Sequence, residues 1–129
     1  MPCMKKGKII PNGVILEKHE YKTILFFTEK GVNVELIPKS NKKGIRTADI
    51  IMEGIEWELK SPKGKGRWLI EKTLKRAVRQ SPNIIIDLNR IGIHQNKCLQ
   101  ELEKQFYKSK GIKWLKVITK TKKTIDFKK

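Results

Sequence analysis

The sequence predicts an α/β (α+β) domain on one mixed sheet, in the core order helix, strand, strand, strand, helix, strand, helix, strand, strand. Three observations carry this. Two alternating runs flank Glu53-Gly54, the pattern of a tight hairpin. Ile84-Ile-Ile-Asp-Leu88 is an apolar run of strand length, as expected of a central strand covered on both faces. The segments on either side of that run carry apolar residues at helical spacing, with lysines and arginines on the outer face.

Residues 1–13 are a short basic lead with Pro2, Pro11 and Gly13, expected to be an N-terminal arm before a single domain over 14–129. From Ile15 to Lys30, Tyr21, Ile24, Leu25 and Thr28 recur at helical spacing, and Gly31 stands as the stop. Val32, Val34 and Leu36 then alternate with Asn33 and Glu35 up to Pro38, a half-buried strand, and Lys39–Arg46 is a basic loop. In Thr47–Lys60, a two-residue loop at Glu53-Gly54 fixes the register. It sets Met52 opposite Ile55, Ile50 opposite Trp57 and Ala48 opposite Leu59 on a core face. On the other face it sets Ile51 opposite Glu56, Asp49 opposite Glu58 and Thr47 opposite Lys60. After the glycine-punctuated loop Ser61–Arg67, a helix over Trp68–Gln80 turns Leu69, Ile70, Leu74 and Ala77 inward and Lys72, Lys75, Arg76 and Arg79 outward, until Ser81-Pro82. A second basic helix spans Asn96–Lys110 with Leu99, Leu102 and Phe106 inside and Gly111 as its stop. Trp114–Thr119 and Thr124–Phe127 close the chain as a strand pair around a Lys-rich turn.

A chain of 129 residues with 38% hydrophobic content can bury one core and is too short for two. With 30 Lys and Arg against 13 Asp and Glu, its net charge of +17 favours a polyanionic partner. No apolar stretch reaches the roughly 18 to 20 residues of a membrane helix, so a soluble chain without membrane insertion is expected. The opening MPCMKKGKIIPNG holds no apolar signal region. Cys3 and Cys98 are too few for a disulfide framework or a thiolate metal cluster, and both are expected to be reduced.

The hairpin register gives Asp49, Glu58 and Lys60 their meaning. Carboxylates facing each other on adjacent strands repel unless a proton, a cation or a metal lies between them. Two chemistries fit. In one, Asp49 and Glu58 hold a divalent metal while Lys60 orients water and stabilises charge on a phosphate. In the other no metal is used, basic side chains neutralise the phosphorane, and Glu58, Asp49 or His19 moves the proton. No cofactor is favoured, with Mg²⁺ as the alternative. Thr47, opposite Lys60, is placed to bond a phosphate. Lys63, Lys65 and Arg67, among the glycines of the 61–67 loop, suit close approach to a phosphate backbone. Lys72, Lys75, Arg76 and Arg79, with Gln80 at the helix end, read as a nucleic-acid track.

These residues carry a resemblance. His19-Glu20 in the first helix, Gly31-Val-Asn-Val-Glu-Leu36, Thr47-Ala-Asp49, Gly54-Ile-Glu-Trp-Glu-Leu-Lys60-Ser-Pro, a helix ending in Gln80-Ser and the strand Ile84-Ile-Ile-Asp87-Leu together resemble the C-terminal tRNA-nuclease toxin domains of contact-dependent growth inhibition (CdiA-like) proteins. Related domains occur in phage and mobile-element proteins. The resemblance covers about residues 14–127 and implies a toxin nuclease that cuts RNA, tRNA above all, restrained by a cognate immunity protein. By matching position it implies roles for His19, Glu20, Thr47, Asp49, Glu58, Lys60 and Gln80. It implies action in the bacterial cytoplasm, after delivery within a larger protein or from a mobile element. Such toxins are similar to the metal-free barnase, EndoU, colicin and RelE group. Asp49 with Glu58-x-Lys60 is also similar to the Mg²⁺-dependent PD-(D/E)XK nucleases, so a DNase of that type stays open. So does a non-catalytic basic module that binds nucleic acid.

Overall fold

The computed structural model describes residues 5–40, 42, 44 and 46–129. They form one seven-stranded sheet whose spatial order follows the chain: β1 (Ile9–Ile10), β2 (Val34–Leu36), β3 (Ile50–Met52), β4 (Ile55–Lys60), β5 (Asn83–Asp87), β6 (Trp114–Ile118) and β7 (Thr124–Lys128). Three helices join them: α1 (Lys18–Thr28), α2 (Leu69–Ala77) and α3 (Gln95–Lys108). β2, β3 and β4 run antiparallel to one another, and β6 and β7 close the far edge as a hairpin. Between these, β4, β5 and β6 are parallel, because α2 and α3 provide the crossovers that parallel neighbours need. The mixed sheet with helices on both faces is the fold class the sequence predicts.

β5 shows why a continuous apolar run marks a central strand. Ile84 and Ile86 pack with Leu74 and Ala77 of α2 and Leu102 and Phe106 of α3 on one face. Ile85, between them, packs with Ile24 and Phe27 of α1 and with Trp57 on the other. All three isoleucines are 0% exposed, and each such burial contributes about 1.5–3 kcal/mol.

Three local outcomes differ from the sequence expectation. The N-terminal lead is not an arm throughout: Ile9 and Ile10 pair in parallel with Val34 and Glu35 and form β1. Two β-branched residues beside an open strand edge suffice for that pairing. The first helix starts at Lys18 rather than near Ile15, because Glu17 is its cap and donates its N–H to Glu20 Oε1 at 2.9 Å. Its end is as expected. Gly31 takes φ +88°, its N–H returns to the Thr28 carbonyl at 3.0 Å and that of Val32 to Phe27 at 3.1 Å. The hairpin register is the third. Met52–Ile55, Ile51–Glu56 and Ile50–Trp57 pair as predicted. The ladder then stops, so Ala48–Leu59 and Thr47–Lys60 do not pair. Cys98 is buried in the α2/α3 core, while Cys3 lies outside the described residues.

One buried polar contact joins the two halves. Thr23 of α1 donates to Asp87 Oδ2 at the end of β5 at 2.6 Å, and Asp87 Oδ1 accepts the Asn89 N–H at 2.9 Å. Thr23→Val keeps the shape but leaves a buried carboxylate oxygen without its donor. Urea unfolding at pH 7 should lose about 1.5–3 kcal/mol, with the midpoint lowered and the slope unchanged; an unchanged midpoint would refute this tether.

Candidate active site

The break in the β3–β4 ladder builds the site. With Ile50–Trp57 and Met52–Ile55 as paired residues around a two-residue turn, an unbroken ladder would give the Leu59 N–H to the Ala48 carbonyl. The Asp49 side chain takes it instead, accepting the Leu59 N–H on Oδ2 at 2.8 Å. The Asp49 N–H swings to the Trp57 carbonyl at 3.0 Å, while its own carbonyl accepts from Ile37 of the β2 side at 2.9 Å. β3 therefore leaves β4 at Asp49. Beyond that point β4 pairs with β5 alone, Glu58 beside Ile84 and Lys60 beside Ile86.

This register turns Glu58 toward the face covered by α2, and the residue is only 3% exposed. Lys60 Nζ lies 3.4 Å from Glu58 Oε2, and Lys39 Nζ bonds Asp49 Oδ1 at 2.8 Å. Among the described residues, Glu58 Oε1 is a buried side-chain oxygen with no donor. Burial pushes the Glu58 carboxyl up, the adjacent Asp49 charge and a hydrogen bond with it push further, and Lys60 and Lys39 pull back. The outcome is a group raised to about 7. A proton held between the two carboxyls would satisfy the orphan oxygen. Burial works against the Lys39 charge, but the bond and charge of Asp49, with Glu58 and Glu20 behind, outweigh it and hold the ammonium above its ordinary value. A small hard cation suits two adjacent carboxyls as well as a proton does. Here both Asp49 oxygens already have donors, and among the described residues no group of three His, Cys, Asp or Glu side chains gathers as a metal site.

Two clefts lie beside the lysines that contact the pair. One, of about 340 Å³, is walled by His19, Glu20 and Thr23 of α1, by Lys60 at the end of β4, and by Thr73 and Arg76 of α2. The other, of about 350 Å³, holds Thr47, Lys39, Arg46 and Gln80. Thr73 and Arg76 of α2 border the first cleft and Gln80, in the turn after the helix, borders the second. Thus Asp49 adjoins Glu58, Lys60 lies against Glu58, and His19 shares a cleft with Lys60. Thr47 is placed on the far side of the Lys39–Asp49 pair rather than opposite Lys60, because the Asp49 side chain displaced that part of the ladder. His19 Nδ1 lies 3.4 Å from Glu17 Oε2.

The expected nucleic-acid track is split. Because α2 ends at Ala77 rather than Gln80, Arg76 on the helix and Gln80 in the turn after it face the clefts, whereas Lys72 on the helix and Arg79 in that turn are exposed and Lys75 pairs with Glu71 at 3.5 Å. Lys63, Lys65 and Arg67 are exposed on the loop. Lys39 is the residue that sequence reading left inside a generic basic loop. A signal was present: pairing β2 with β3 in register puts Lys39 opposite Thr47, two residues from Asp49.

Because folding raises the Glu58 carboxyl from 4.5 to about 7, its contribution to stability is complete below about pH 4.5 and is lost as pH rises through 7. Glu58→Gln removes that ionisation. Its Tm should match wild type near pH 4 and exceed it at pH 8, by on the order of 2–3 kcal/mol in unfolding free energy. Equal Tm values at pH 8 would contradict a raised, buried carboxyl.

Comparison with known proteins accords with this architecture. A search of curated proteins returned no match. A solved structure described as a CdiA-CT/CdiI toxin and immunity complex from Burkholderia pseudomallei is similar in fold, with a TM-score of 0.69, 15% identity, and coverage of 95% of this chain and 100% of that one. The model of the contact-dependent growth inhibition CdiA C-terminal domain matches residues 46–124, which include β3, the Asp49–Glu58–Lys60 group, both crossover helices and β6. The chain therefore belongs to the CdiA C-terminal domain family of contact-dependent growth inhibition.

Proposed function

We propose that this toxin domain is a nuclease that cleaves RNA, with tRNA as its foremost substrate, and that Asp49, Glu58 and Lys60, assisted by Lys39, form its active site. The carrying observation is a buried carboxyl raised to about 7, with Lys60 3.4 Å from it and itself on the wall of a cleft, in a domain of charge +17. A group near neutrality exchanges protons at cellular pH, which strand cleavage through a ribose hydroxyl requires. Lys60 and Arg76 wall one cleft and Lys39 the other, and together they would supply the positive charge that a pentacoordinate phosphorus needs. His19, on the α1 wall, is the second candidate for the proton on the leaving oxygen. Thr47 and Gln80, across the Lys39–Asp49 pair, would contact the neighbouring phosphate or base.

Family membership supports a toxin carried at the C-terminal end of a larger protein, acting in the cytoplasm of the bacterium that receives it. The similar fold seen in a toxin and immunity complex supports a cognate immunity protein as partner. One observation favours a second chemistry. The donor-free Glu58 Oε1 beside Asp49 would accept Mg²⁺ held by the two carboxyls, and that ion would neutralise charge on the scissile phosphate.

Purified domain incubated with total tRNA and with plasmid DNA, each in Mg²⁺ and in EDTA, decides among these. Cleavage of tRNA alone, surviving EDTA, is the expected result. Loss of cleavage in EDTA would make Asp49 and Glu58 cation ligands, and cleavage of plasmid would move the substrate to DNA. Lys60→Ala should cut tRNA turnover by about 10²–10⁴-fold while tRNA still binds. Salt-dependent binding with no scission in any buffer would overturn the nuclease assignment and leave a binding module.

A further inference from the structure

A third cleft lies away from the carboxyl pair. It has a volume of about 550 Å³ and runs between the 64–67 loop and α3, with Lys65 and Arg67 on one wall and Lys97 and Lys104 on the other. The one acid at its border, Glu101, already accepts the Gln105 amide at 2.8 Å. The loop is held in place rather than free. Gly64 bridges to Ile91, and the Gly92 N–H donates to the Gly64 carbonyl at 2.7 Å. A Cβ at Gly92 would meet that carbonyl oxygen and the Lys65 Cβ at 3.3 Å, so the close approach depends on glycine. The segment that leads into α3 thereby fixes the loop cations across from the helix cations.

We propose that this cleft is a second subsite for the substrate, one that binds the phosphate backbone of nucleic acid several nucleotides from the scissile bond. It rests on the nuclease proposal above and extends it to a substrate with an extended footprint. Four cations converge on the cleft against one occupied acid, which suits a polyanion and disfavours a basic or neutral ligand. Lys97 and Lys104 are two helical turns apart, about 10 Å, which spans about three phosphates of one strand. Trp68 lies between the two clefts in sequence, flanked by Arg67 of this one and Leu69 of the catalytic one. It is 54% exposed, with the Arg67 guanidinium 4.8 Å from its ring centre, an arrangement on which a base can stack on the path between the subsites.

The test compares Lys97→Glu/Lys104→Glu with Lys6→Glu/Lys30→Glu, an equal change in charge at the β1 edge, after circular dichroism has shown that both fold. Affinity for intact tRNA is read by anisotropy in the Lys60→Ala background, and cleavage is read in the wild-type background. The α3 pair should lose about 10–100-fold in tRNA affinity and lower the salt slope by about 1.5, with the control within threefold. In cleavage, KM for tRNA should rise with kcat nearly constant, and a short single-stranded oligonucleotide that fills only the catalytic cleft should be cut at the wild-type rate. An α3 pair that behaves like the control overturns the subsite while leaving the nuclease proposal standing. Unchanged tRNA binding with loss of inhibition by a purified immunity protein overturns it in favour of a protein contact. A wild-type domain that binds no nucleic acid removes both proposals together.

Discussion

The bond from the Leu59 N–H to the Asp49 carboxylate is the contact on which the rest of the site depends. A strand donor that would have gone to a backbone carbonyl goes to a side chain, and β3 separates from β4 at that residue. The separation lets Lys39, three residues beyond β2, reach the other oxygen of Asp49. It also leaves β4 to run on with a single neighbour, which carries Lys60 to the strand end where α1 and α2 leave a cleft. A continuous hairpin would have filled that space with backbone. Replacing the Asp49 side chain therefore removes an acid and a strand terminator together, which makes mutations there harder to interpret than those at Lys60.

The parallel half of the sheet supplies the burial. Because β4 pairs with β5 across Glu58–Ile84 and Lys60–Ile86, these two side chains fall on the face that α2 covers through Leu74 and Ala77. The helix is there to seal the isoleucines of β5. Covering Glu58 follows from the same packing and gives the carboxyl its raised proton affinity. On the opposite face Thr23 ties α1 to Asp87, so the helix that carries His19 is anchored to the strand next to the one that carries Lys60. Both walls of the cleft are thus positioned by core contacts rather than by the loops.

Much of this was legible in the sequence where the determinants are local. Alternation on either side of Glu53-Gly54 placed three cross-strand residue pairs of β3 and β4 in correct register, and the unbroken apolar run marked β5. What could not be read involves partners distant along the chain. The capture of Leu59 by Asp49 is invisible to a period-two pattern, which extends a ladder for as long as residues alternate. Thr47 was misplaced for that reason. Lys39 needed the β2–β3 register, 11 residues away across a basic loop. On α2 the helical period placed Lys72, Lys75, Arg76 and Arg79 outside together, yet of these only Arg76 faces the cleft that Lys60 and His19 wall, because the direction of the site relative to the helix is a tertiary fact. β1 is two residues long, too short for any pattern.

The charge of the domain and the acidity of its site pull in opposite directions. A net charge of +17 stabilises a carboxylate anywhere on the molecule and lowers its pKa. Glu58 nevertheless lies well above its ordinary value, so local burial and the neighbouring Asp49 outweigh both the field of the whole domain and the two adjacent lysines. A polyanion entering the clefts would cancel much of that cationic field where it touches the pair, through Lys60, Lys39 and Arg76. The remaining terms are those that favour the proton. On the nuclease proposal, substrate binding therefore raises the proton affinity of the pair further, and the carboxyls enter the reaction holding the proton they are placed to transfer. A site with an exposed glutamate in the same field would be ionised before the substrate arrived and would have no proton to give.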